Sequence, residues 1–383
     1  MTNRRVFLTL FGGGVVLAAT SATLWATTRD PAGARRPWET AGQGGEADPR
    51  RRALSFAVLA PNPHNRQPWV ADLSVPEVLT LFCDPDRRLP HTDPFDRQIT
   101  IGLGCFLELL ALAAAEDGYR TDIAVFPDGA PQPRLDGRPV ARVRFIRDEA
   151  VARDPLFAAV LDRRSNKEAY DTTRPVATES LAAIAAAARV HPVAFTNDPA
   201  RVAALRGQAF DALRTEMTTY ATAKESVDLL RIGKREIEAN PDGIDLPGPV
   251  FEALQLAGMM PRDAMLDTTS DVFAQQLAAM KVPFDTAMAF VWTITPGNSR
   301  AEQIEAGRDW VRLNLAATRL GVAMHPFSQA LQEFAEMRPH FDGLRQALGI
   351  PPEHTLQMFA RLGYGPSVKA GPRWPYETRI RAA

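Results

Sequence analysis

The 383-residue chain is poor in cysteine and has no excess of either charge. Its two cysteines, Cys83 and Cys105, are too few for a disulfide framework or a zinc site. Both stand in apolar segments, where we expect small buried side chains. The 44 basic and 45 acidic residues give a formal net charge of -1. This balance gives no support for nucleic-acid binding, which usually shows as a basic excess.

Common catalytic and metal-binding motifs are also missing from the sequence. It has no Gly-x-Ser-x-Gly elbow, no Walker loop and no His-Glu-x-x-His helix. None of the histidines is paired at i, i+4, and we therefore expect no metal site. They are His64, His91, His191, His325, His340 and His354.

The N-terminus resembles a twin-arginine export signal, which we place at residues 1–34. The pair Arg4-Arg5 precedes an uncharged, glycine-containing stretch from Val6 to Ala26, and Ala32-Gly-Ala34 offers a small-residue cleavage site. A transmembrane anchor is the alternative, because the stretch is just long enough to span a bilayer. Residues 35–49, rich in Gly, Pro and charge, predict a linker.

This export route moves folded proteins, and capture of a cofactor in the cytoplasm is a common reason for folding first. The signal therefore predicts a cofactor, the twin-arginine machinery as a partner, and a periplasmic or other extracytoplasmic location.

The remaining sequence predicts mixed helices and strands without the strict alternation of a Rossmann domain, so the expected class is α+β. We expect helices over Arg51–Leu59, Ile99–Glu116, Ser180–Arg189, Arg201–Ala223 and Ala301–Leu320. We expect strands over Val78–Cys83, Thr121–Phe126, Val140–Ile146, His191–Thr196, Phe290–Ile294 and Thr355–Gly363. Helical pieces interrupted by Pro and Gly between Glu225 and Pro283 indicate an inserted cap.

A basic motif with phosphate-binding chemistry stands at Asp162-Arg-Arg-Ser-Asn-Lys167, followed by Glu-Ala-Tyr-Asp171 and a helix near Thr178. Arg163 can donate two hydrogen bonds to a phosphate, and the Ser165 hydroxyl can add another. Taken alone, such a charge run is equally typical of a solvated helix end.

The continuation of this motif, with a Thr-capped helix after it, resembles the opening segment of the FMN-dependent nitroreductase family. The resemblance implies that Arg163 and Ser165 bind the FMN phosphate. It also implies that Lys167 lies near the N1/O2 edge of the flavin, where a cation offsets the charge of the reduced ring.

A second motif, Ala60-Pro-Asn-Pro-His-Asn-Arg-Gln-Pro-Trp69, reads by composition as a turn-rich loop. It resembles a nitroreductase segment that packs against the flavin ring. The matching positions, implied to contact flavin, are Pro61, Asn62, Pro63 and Asn65. Asn62 replaces the usual Ser. His64 is an added imidazole, with either a proton-donating or a structural hydrogen-bonding role.

The C-terminal part resembles the closing pattern of the same family. A helix opens at Gly307-Arg308, His325-Pro-Phe-Ser-Gln329 follows, and Arg361-Leu-Gly-Tyr-Gly-Pro366 ends a strand in a Gly-rich turn. The resemblance implies a second phosphate ligand at Arg373; an exposed C-terminal charge is the alternative.

The order of the motifs is reversed relative to an ordinary nitroreductase, because the Pro-Asn loop precedes the Arg-Arg-Ser segment. We infer two fused half-domains, residues 50–150 and 151–375, that pack as an intrachain pseudo-dimer with one FMN site. This arrangement resembles the fused Acg family of actinobacteria. A lid at about 225–285 would cover the flavin, and the fusion predicts a monomer.

These features favour an exported FMN-binding oxidoreductase that transfers hydride through flavin N5 with a small-molecule substrate. NAD(P)H is scarce outside the cytoplasm. Either another reductant therefore serves as electron donor, or the enzyme works as a dehydrogenase or oxidase on its substrate. The main alternative is non-catalytic storage or sequestration of FMN. A membrane-anchored interaction domain without flavin is a third reading, which the intact phosphate motif disfavours.

Overall fold

Two antiparallel sheets of four strands organise the part of the chain that the computed structural model describes, residues 28–43 and 48–381. The Arg4-Arg5 motif and the apolar stretch after it lie outside these residues. The strands of the first sheet pair in the order β1 (Trp69–Asp72), β2 (Val78–Cys83), β4 (Ala141–Arg147) and β3 (Tyr119–Val125), and those of the second in the order β5 (Val193–Thr196), β8 (Ala289–Thr295), β10 (Thr355–Gly363) and β9 (Ala323–Pro326). Helices and strands are not regularly alternated, and the class is α+β, as predicted.

The first half builds one sheet and one long apolar helix. Its helices are α1 (Arg36–Thr40), α2 (Pro49–Ala57) and α3 (Arg97–Glu116), and its strands are β1 (Trp69–Asp72), β2 (Val78–Cys83), β3 (Tyr119–Val125) and β4 (Ala141–Arg147). The Asp93 carboxylate accepts the backbone N–H groups of Gln98 and Ile99 at the start of α3. Gly118, at φ +75°, ends the helix in the left-handed conformation that glycine tolerates best.

The second half also has a four-stranded sheet and a long helix, and it contains the segment predicted as a cap. Its helices are α4 (Thr178–Ala185), α5 (Pro199–Thr218), α6 (Tyr220–Asp228), α7 (Gly233–Ala239), α8 (Pro249–Leu256), α9 (Arg262–Leu266), α10 (Asp271–Asp285), α11 (Arg300–Arg319) and α12 (Arg338–Leu348). Its strands are β5 (Val193–Thr196), β6 (Leu230–Ile232), β7 (Ile244–Leu246), β8 (Ala289–Thr295), β9 (Ala323–Pro326) and β10 (Thr355–Gly363). A capping box between Ser299 and Glu302 starts α11.

The two halves meet where α3 and α11 touch backbone to backbone. A Cβ atom at Gly104 would lie 2.1 Å from the Ile304 carbonyl oxygen, and one at Gly307 would lie 2.0 Å from the Ile101 oxygen. Both positions therefore require glycine. Cys105 fits beside this contact, and its thiol donates to the Gly307 carbonyl at 3.1 Å.

Helix α3 is a core helix although its length and apolarity would suit a membrane span, because 89% of its most apolar window is buried inside the fold. Both cysteines are buried and unpaired, as predicted. Burial raises the pKa of the Cys105 thiol to about 12.

The predicted elements are present, with three kinds of difference. The helix expected over Arg201–Ala223 divides at Thr219, whose extended conformation (φ -84°, ψ 110°) separates α5 from α6. The helix near Thr178 begins after Ala177 and has no side-chain cap, so the expected Thr cap is wrong. Strands β1 and β9, of four residues each, and helix α12 were not predicted.

Residues 31–40, which we call the N-terminal strap, are folded onto the C-terminal part of the chain. Ala32–Arg35 and α1 are helical, and Trp38 is buried with its indole N–H donating to the Gly371 carbonyl at 2.9 Å. The linker predicted over 35–49 is therefore wrong for Arg35–Thr40, since an apolar ring anchors it. The cleavage site predicted at Ala32-Gly-Ala34 is not an exposed tail, because Ala34 is buried and its carbonyl accepts the Arg373 N–H.

The segment predicted as a lid, about 225–285, contains helices α7 to α10 and the two-stranded parallel sheet of β6 and β7. Val227, Ile232 and Met265 form a small apolar cluster of its own. A separate cluster of this kind is consistent with an insertion that is added to the main core.

Candidate functional site

A cavity of about 950 Å³ lies between the two halves, the lid and the strap. Its size is within the range of small-molecule and cofactor sites. All eight residues proposed from the sequence border this one cavity. They are Pro61, Asn62, Pro63, Asn65, Arg163, Ser165, Lys167 and Arg373.

Two buried guanidinium groups converge at one end of the cavity. Arg163 and Arg373 both donate to the carbonyl oxygen of Leu59, at 3.0 Å and 3.3 Å. Arg163 also donates to the Asn314 side chain at 3.0 Å. Burial lowers the pKa of Arg163 to about 10 and that of Arg373 to about 9, and neighbouring arginine charges act in the same direction. The protein thus holds like charges together out of water.

The Trp38 ring of the strap lies against these groups and against Arg164. The guanidinium carbons of Arg163, Arg164 and Arg373 are 5.6, 4.9 and 5.5 Å from its centroid. A π face offers partial compensation for a cation. We call Arg163, Arg164 and Arg373 the arginine cluster.

The arginine cluster has no carboxylate partner within ion-pair distance among residues 28–43 and 48–381. In the same part of the chain, the buried Nε atom of each of its members has no hydrogen-bond partner. The Ser165 side chain borders the same cavity. Buried cations without a counter-charge are costly. The cluster is therefore electrostatically suited to an anion.

The loop before β1 is held in an uncommon backbone conformation. His64, Asn65 and Gln67 have φ values of 47°, 49° and 51°, in the left-handed region that side chains rarely adopt. Such strain is concentrated at functional sites. Helix α3 packs directly against the loop, because a Cβ atom added at Gly102 would lie 3.0 Å from the Cβ atom of Asn62.

Asn62 and Asn65 use their amide groups within the protein. Asn62 accepts the Gln67 N–H at 2.7 Å and donates to the Ala60 carbonyl. Asn65 accepts from Arg373 at 2.7 Å and donates to the Pro372 carbonyl. Both side chains therefore fix the loop and Arg373, and the flavin contacts that the resemblance implies stay a prediction.

A second group of cavity residues surrounds Lys167, and it includes His64 and His325. Burial lowers the pKa of His64 to about 4. The charge of Glu225 raises this pKa, and the charges of Lys167 and Arg66 lower it. Burial and the charges of Arg361 and Lys167 hold the pKa of His325 well below its usual range. Both imidazoles are therefore neutral at pH 7.

Arg361 positions this group from within the sheet. It is the cross-strand partner of His325 and donates to His325 Nδ1 at 3.2 Å, which assigns the imidazole proton to Nε2. It also donates to the carbonyls of Asn166 and Glu168, which flank Lys167 in the chain. One fully buried side chain thus orients both the imidazole and the lysine segment.

The lid reaches the cavity through residues 243–249 and is anchored by two buried polar side chains. Gln67 donates to the Pro241 carbonyl at 2.7 Å and accepts the Trp374 N–H at 2.9 Å. The Asp242 carboxylate accepts from Arg87 at 2.7 Å and Arg231 at 3.1 Å.

Four residues of the site were not predicted from the sequence as site residues. Trp38 stands in a Gly- and Pro-rich segment, and a tryptophan there was the available signal of a folded strap. His325 and Arg361 belong to motifs that the sequence contains, but their pairing depends on strand register. Gln67 lies in the recognised loop, and its role depends on contacts with the lid.

Comparison with known proteins identifies related sequences. A sequence model described as the nitroreductase family matches residues 160–364, more than half of the 383-residue chain. Rv3131 of Mycobacterium tuberculosis H37Rv, named as a candidate NAD(P)H nitroreductase, is 28% identical over 346 residues, covering 87% of this chain and 90% of its own. The protein acg of the same organism is 33% identical over 78 residues, 20% of this chain and 23% of its own.

Solved structures give weaker similarities. NfnB of Mycobacterium smegmatis, in complex with NADPH, matches with a TM-score of 0.36 and 19% identity, over 59% of this chain and 96% of its own. A Bacteroides fragilis nitroreductase with bound FMN matches with a TM-score of 0.30 and 17% identity, over 57% of this chain and 96% of its own. The family match covers the Arg-Arg-Ser segment, α11 and β10. This chain therefore belongs to the nitroreductase family.

Proposed function

We propose that the protein is an oxidoreductase that binds one FMN in the cavity between its halves and reduces or oxidises a small organic substrate. The observation that carries this proposal is the arginine cluster. Arg163 and Arg373 are buried, no member of the cluster has a carboxylate within ion-pair distance among the described residues, and the Nε atoms of all three lack a hydrogen-bond partner there. A phosphate dianion supplies both the charge and the acceptor oxygens that such a cluster needs.

The residues around the cavity fit this cofactor. Arg163, Arg373 and Ser165 would hold the phosphate, with Asn65 fixing Arg373 through its 2.7 Å hydrogen bond. Lys167 belongs to the second group of cavity residues, and its charge lowers the pKa of His64 and of His325. When bound, FMN supplies hydride transfer through its N5 atom.

The protein contributes orientation, charge and exclusion of water. The Lys167 cation would stabilise negative charge on a reduced ring, and the neutral His325 Nε2–H is a donor that adds no second positive charge. The Trp38 ring and residues of the lid segment 243–249 both line the cavity. The nitroreductase membership favours catalysis over storage of the cofactor.

The proposal is tested by the absorbance spectrum of the purified chain, with the released flavin identified and counted. The chain must begin no later than Thr28, because the strap contributes Ala34 and Trp38 to the site. We expect one FMN per chain. Absence of flavin after incubation with excess FMN would contradict the proposal.

A matched pair of variants tests the phosphate assignment. Arg373→Gln should weaken FMN binding by about 10- to 100-fold, the value of one lost charge-assisted interaction of roughly 1.5–3 kcal/mol. Arg338→Gln removes an exposed arginine paired with Asp342 and should leave the affinity unchanged. Equal affinities for the two variants would remove Arg373 from the phosphate site.

We also propose that the protein is exported through the twin-arginine pathway and acts as a monomer. The Arg4-Arg5 motif supports the first part, and the packing of α3 against α11 within one chain supports the second. Replacement of both arginines by lysine, followed by cell fractionation, tests export. Sedimentation of the flavin-loaded protein tests the assembly state; cytoplasmic retention of the unaltered chain, or a stable dimer, would contradict these parts.

A further inference from the structure

A chain of three polar side chains leads from the buried face of α5 to the cavity. Ser226 Oγ lies 3.2 Å from Glu216 Oε1 and 3.1 Å from His64 Nε2. Glu216 and Ser226 are 4% and 7% exposed, and His64 borders the cavity. The serine hydroxyl therefore bridges a buried carboxyl group and an imidazole at the proposed flavin site, whose Glu216 Oε1 and His64 Nε2 atoms also lie 3.9 Å apart.

The Glu216 carboxyl group, at one end of this series of side chains, can carry a proton near neutral pH. Burial raises the pKa of Glu216 to about 7, while the Gln332 side chain and the Ser226 hydroxyl lower it and the charge of Glu225 raises it further. A buried carboxyl with a pKa near the operating pH is suited to giving and receiving protons.

The imidazole end is neutral and open to the cavity. The His64 pKa of about 4 keeps the ring uncharged under ordinary conditions. Its Nε2 lies 3.1 Å from Ser226 Oγ, and the residue borders the cavity. The left-handed backbone of His64 (φ 47°) holds the ring in this place at a cost in strain.

We propose that Glu216, Ser226 and His64 form a proton relay, and that His64 is a catalytic residue which protonates the substrate from Nδ1. This proposal rests on the proposed function, because the hydride comes from reduced FMN. A quinone or a conjugated carbonyl compound is one substrate class that needs both a hydride and a proton.

The relay delivers one proton in each turnover. Nδ1–H of His64 passes to the substrate oxygen, Ser226 Oγ–H passes to His64 Nε2, and Glu216 passes its proton to Ser226 Oγ, which leaves Glu216 as a carboxylate and His64 with its proton on Nε2. Uptake of a solvent proton at Nδ1 from the cavity, with return of the Nε2 proton through Ser226 to Glu216, restores the starting state. The substrate gains one hydride and one proton, the two-electron reduction product, and the flavin is oxidised.

The relay predicts that the tautomer of His64 follows the protonation of Glu216. Protonated Glu216 donates to Ser226, which donates to Nε2, so the ring carries its proton on Nδ1. Ionised Glu216 accepts from Ser226, whose oxygen accepts from Nε2–H, so the proton is on Nε2. The other charged groups that act on these three side chains are Glu225, Lys167 and Arg66.

The first test is ¹⁵N NMR of histidine-labelled protein between pH 5.5 and 8.5, which requires no flavin. His64 should change from the Nδ1–H to the Nε2–H tautomer near pH 7, and Glu216→Gln should abolish the change. A His64 tautomer that is independent of pH in the unaltered protein would overturn the relay. This result is separate from failure of the proposed function, which is scored by FMN content alone.

The second test follows oxidation of dithionite-reduced, FMN-loaded protein by a water-soluble quinone in a single turnover. His64→Phe and Ser226→Ala should slow it by about 100-fold or more and remove its solvent deuterium isotope effect, as expected for loss of a general acid. Ser367→Ala alters an exposed serine at the same cavity and should leave the rate unchanged. Unchanged rates for His64→Phe with full FMN content would refute the catalytic role.

Discussion

Substitution of Gly307 by alanine should separate the two halves of the protein, and the effect can be worked from the helix contact. The new Cβ atom would lie 2.0 Å from the Ile101 carbonyl oxygen and 3.0 Å from the Gly104 Cα. Since real Cβ contacts of this kind are never below about 3.0 Å, α3 and α11 must move apart by roughly 1 Å.

The expected cost combines two opposing contributions. Overpacking of a core typically costs about 1–3 kcal/mol and occasionally more. Replacing a helical glycine by alanine returns roughly 0.5–1 kcal/mol because the unfolded chain loses freedom. The contact is backbone against backbone, which cannot be relieved by rotating a side chain, so we expect a net loss of about 2 kcal/mol or more.

Gly207→Ala is the matched control, because Gly207 lies within α5 and its Cβ would meet nothing within 4 Å. Urea denaturation followed by circular dichroism should show Gly307→Ala less stable than the unaltered protein, and Gly207→Ala more stable by about 0.5–1 kcal/mol. FMN affinity should fall in Gly307→Ala alone, because Ile101, Cys105 and Trp310 border the cavity. Equal stability changes in the two variants would refute the argument from the helix contact.

Three further predictions concern single side chains of the site. Because burial raises the pKa of Glu216 to about 7, the free energy of unfolding should fall as the pH rises from about 5 through 7. The expected loss is roughly 3 kcal/mol, at about 1.36 kcal/mol per pKa unit. Glu216→Gln should remove this loss, as measured by urea denaturation at pH 5 and pH 8. Trp38→Ala should accelerate FMN dissociation, measured by fluorescence on dilution, more than Trp38→Phe, which keeps a ring over the arginine cluster. Lys167→Gln should lower the flavin midpoint potential in spectroelectrochemistry, because a cation no longer offsets the charge of the reduced ring. An unchanged pH profile, equal dissociation rates or an unchanged potential would contradict the respective prediction.

The sequence predicted the two motifs that meet at the cavity because each is contiguous and chemically specific. Arg163 and Lys167 come from one short segment, and Pro61 and Asn65 from another. Their meeting followed from the inference that each half supplies one part of a site. The long helices and most strands were likewise predictable, because their apolar periodicity is strong over many residues.

The parts that were missed depend on contacts between distant positions. The bond from Trp38 to Gly371 joins residues 333 positions apart, and the one from His64 to Ser226 joins residues 162 apart. No local pattern encodes such pairs, so composition alone made the strap look like a linker. The break at Thr219 was missed for a related reason, since the sequence around it has no proline or glycine and tertiary packing decides the conformation.

The strap also sets the order of events during biosynthesis. Asn65 meets Arg373 across 308 positions, and the Ala34 carbonyl receives the N–H of the same arginine. A chain that is made from its N-terminus cannot complete the arginine cluster until Arg373 has left the ribosome, and such non-local closure is slow. Cofactor capture is thus a late step in the life of each molecule.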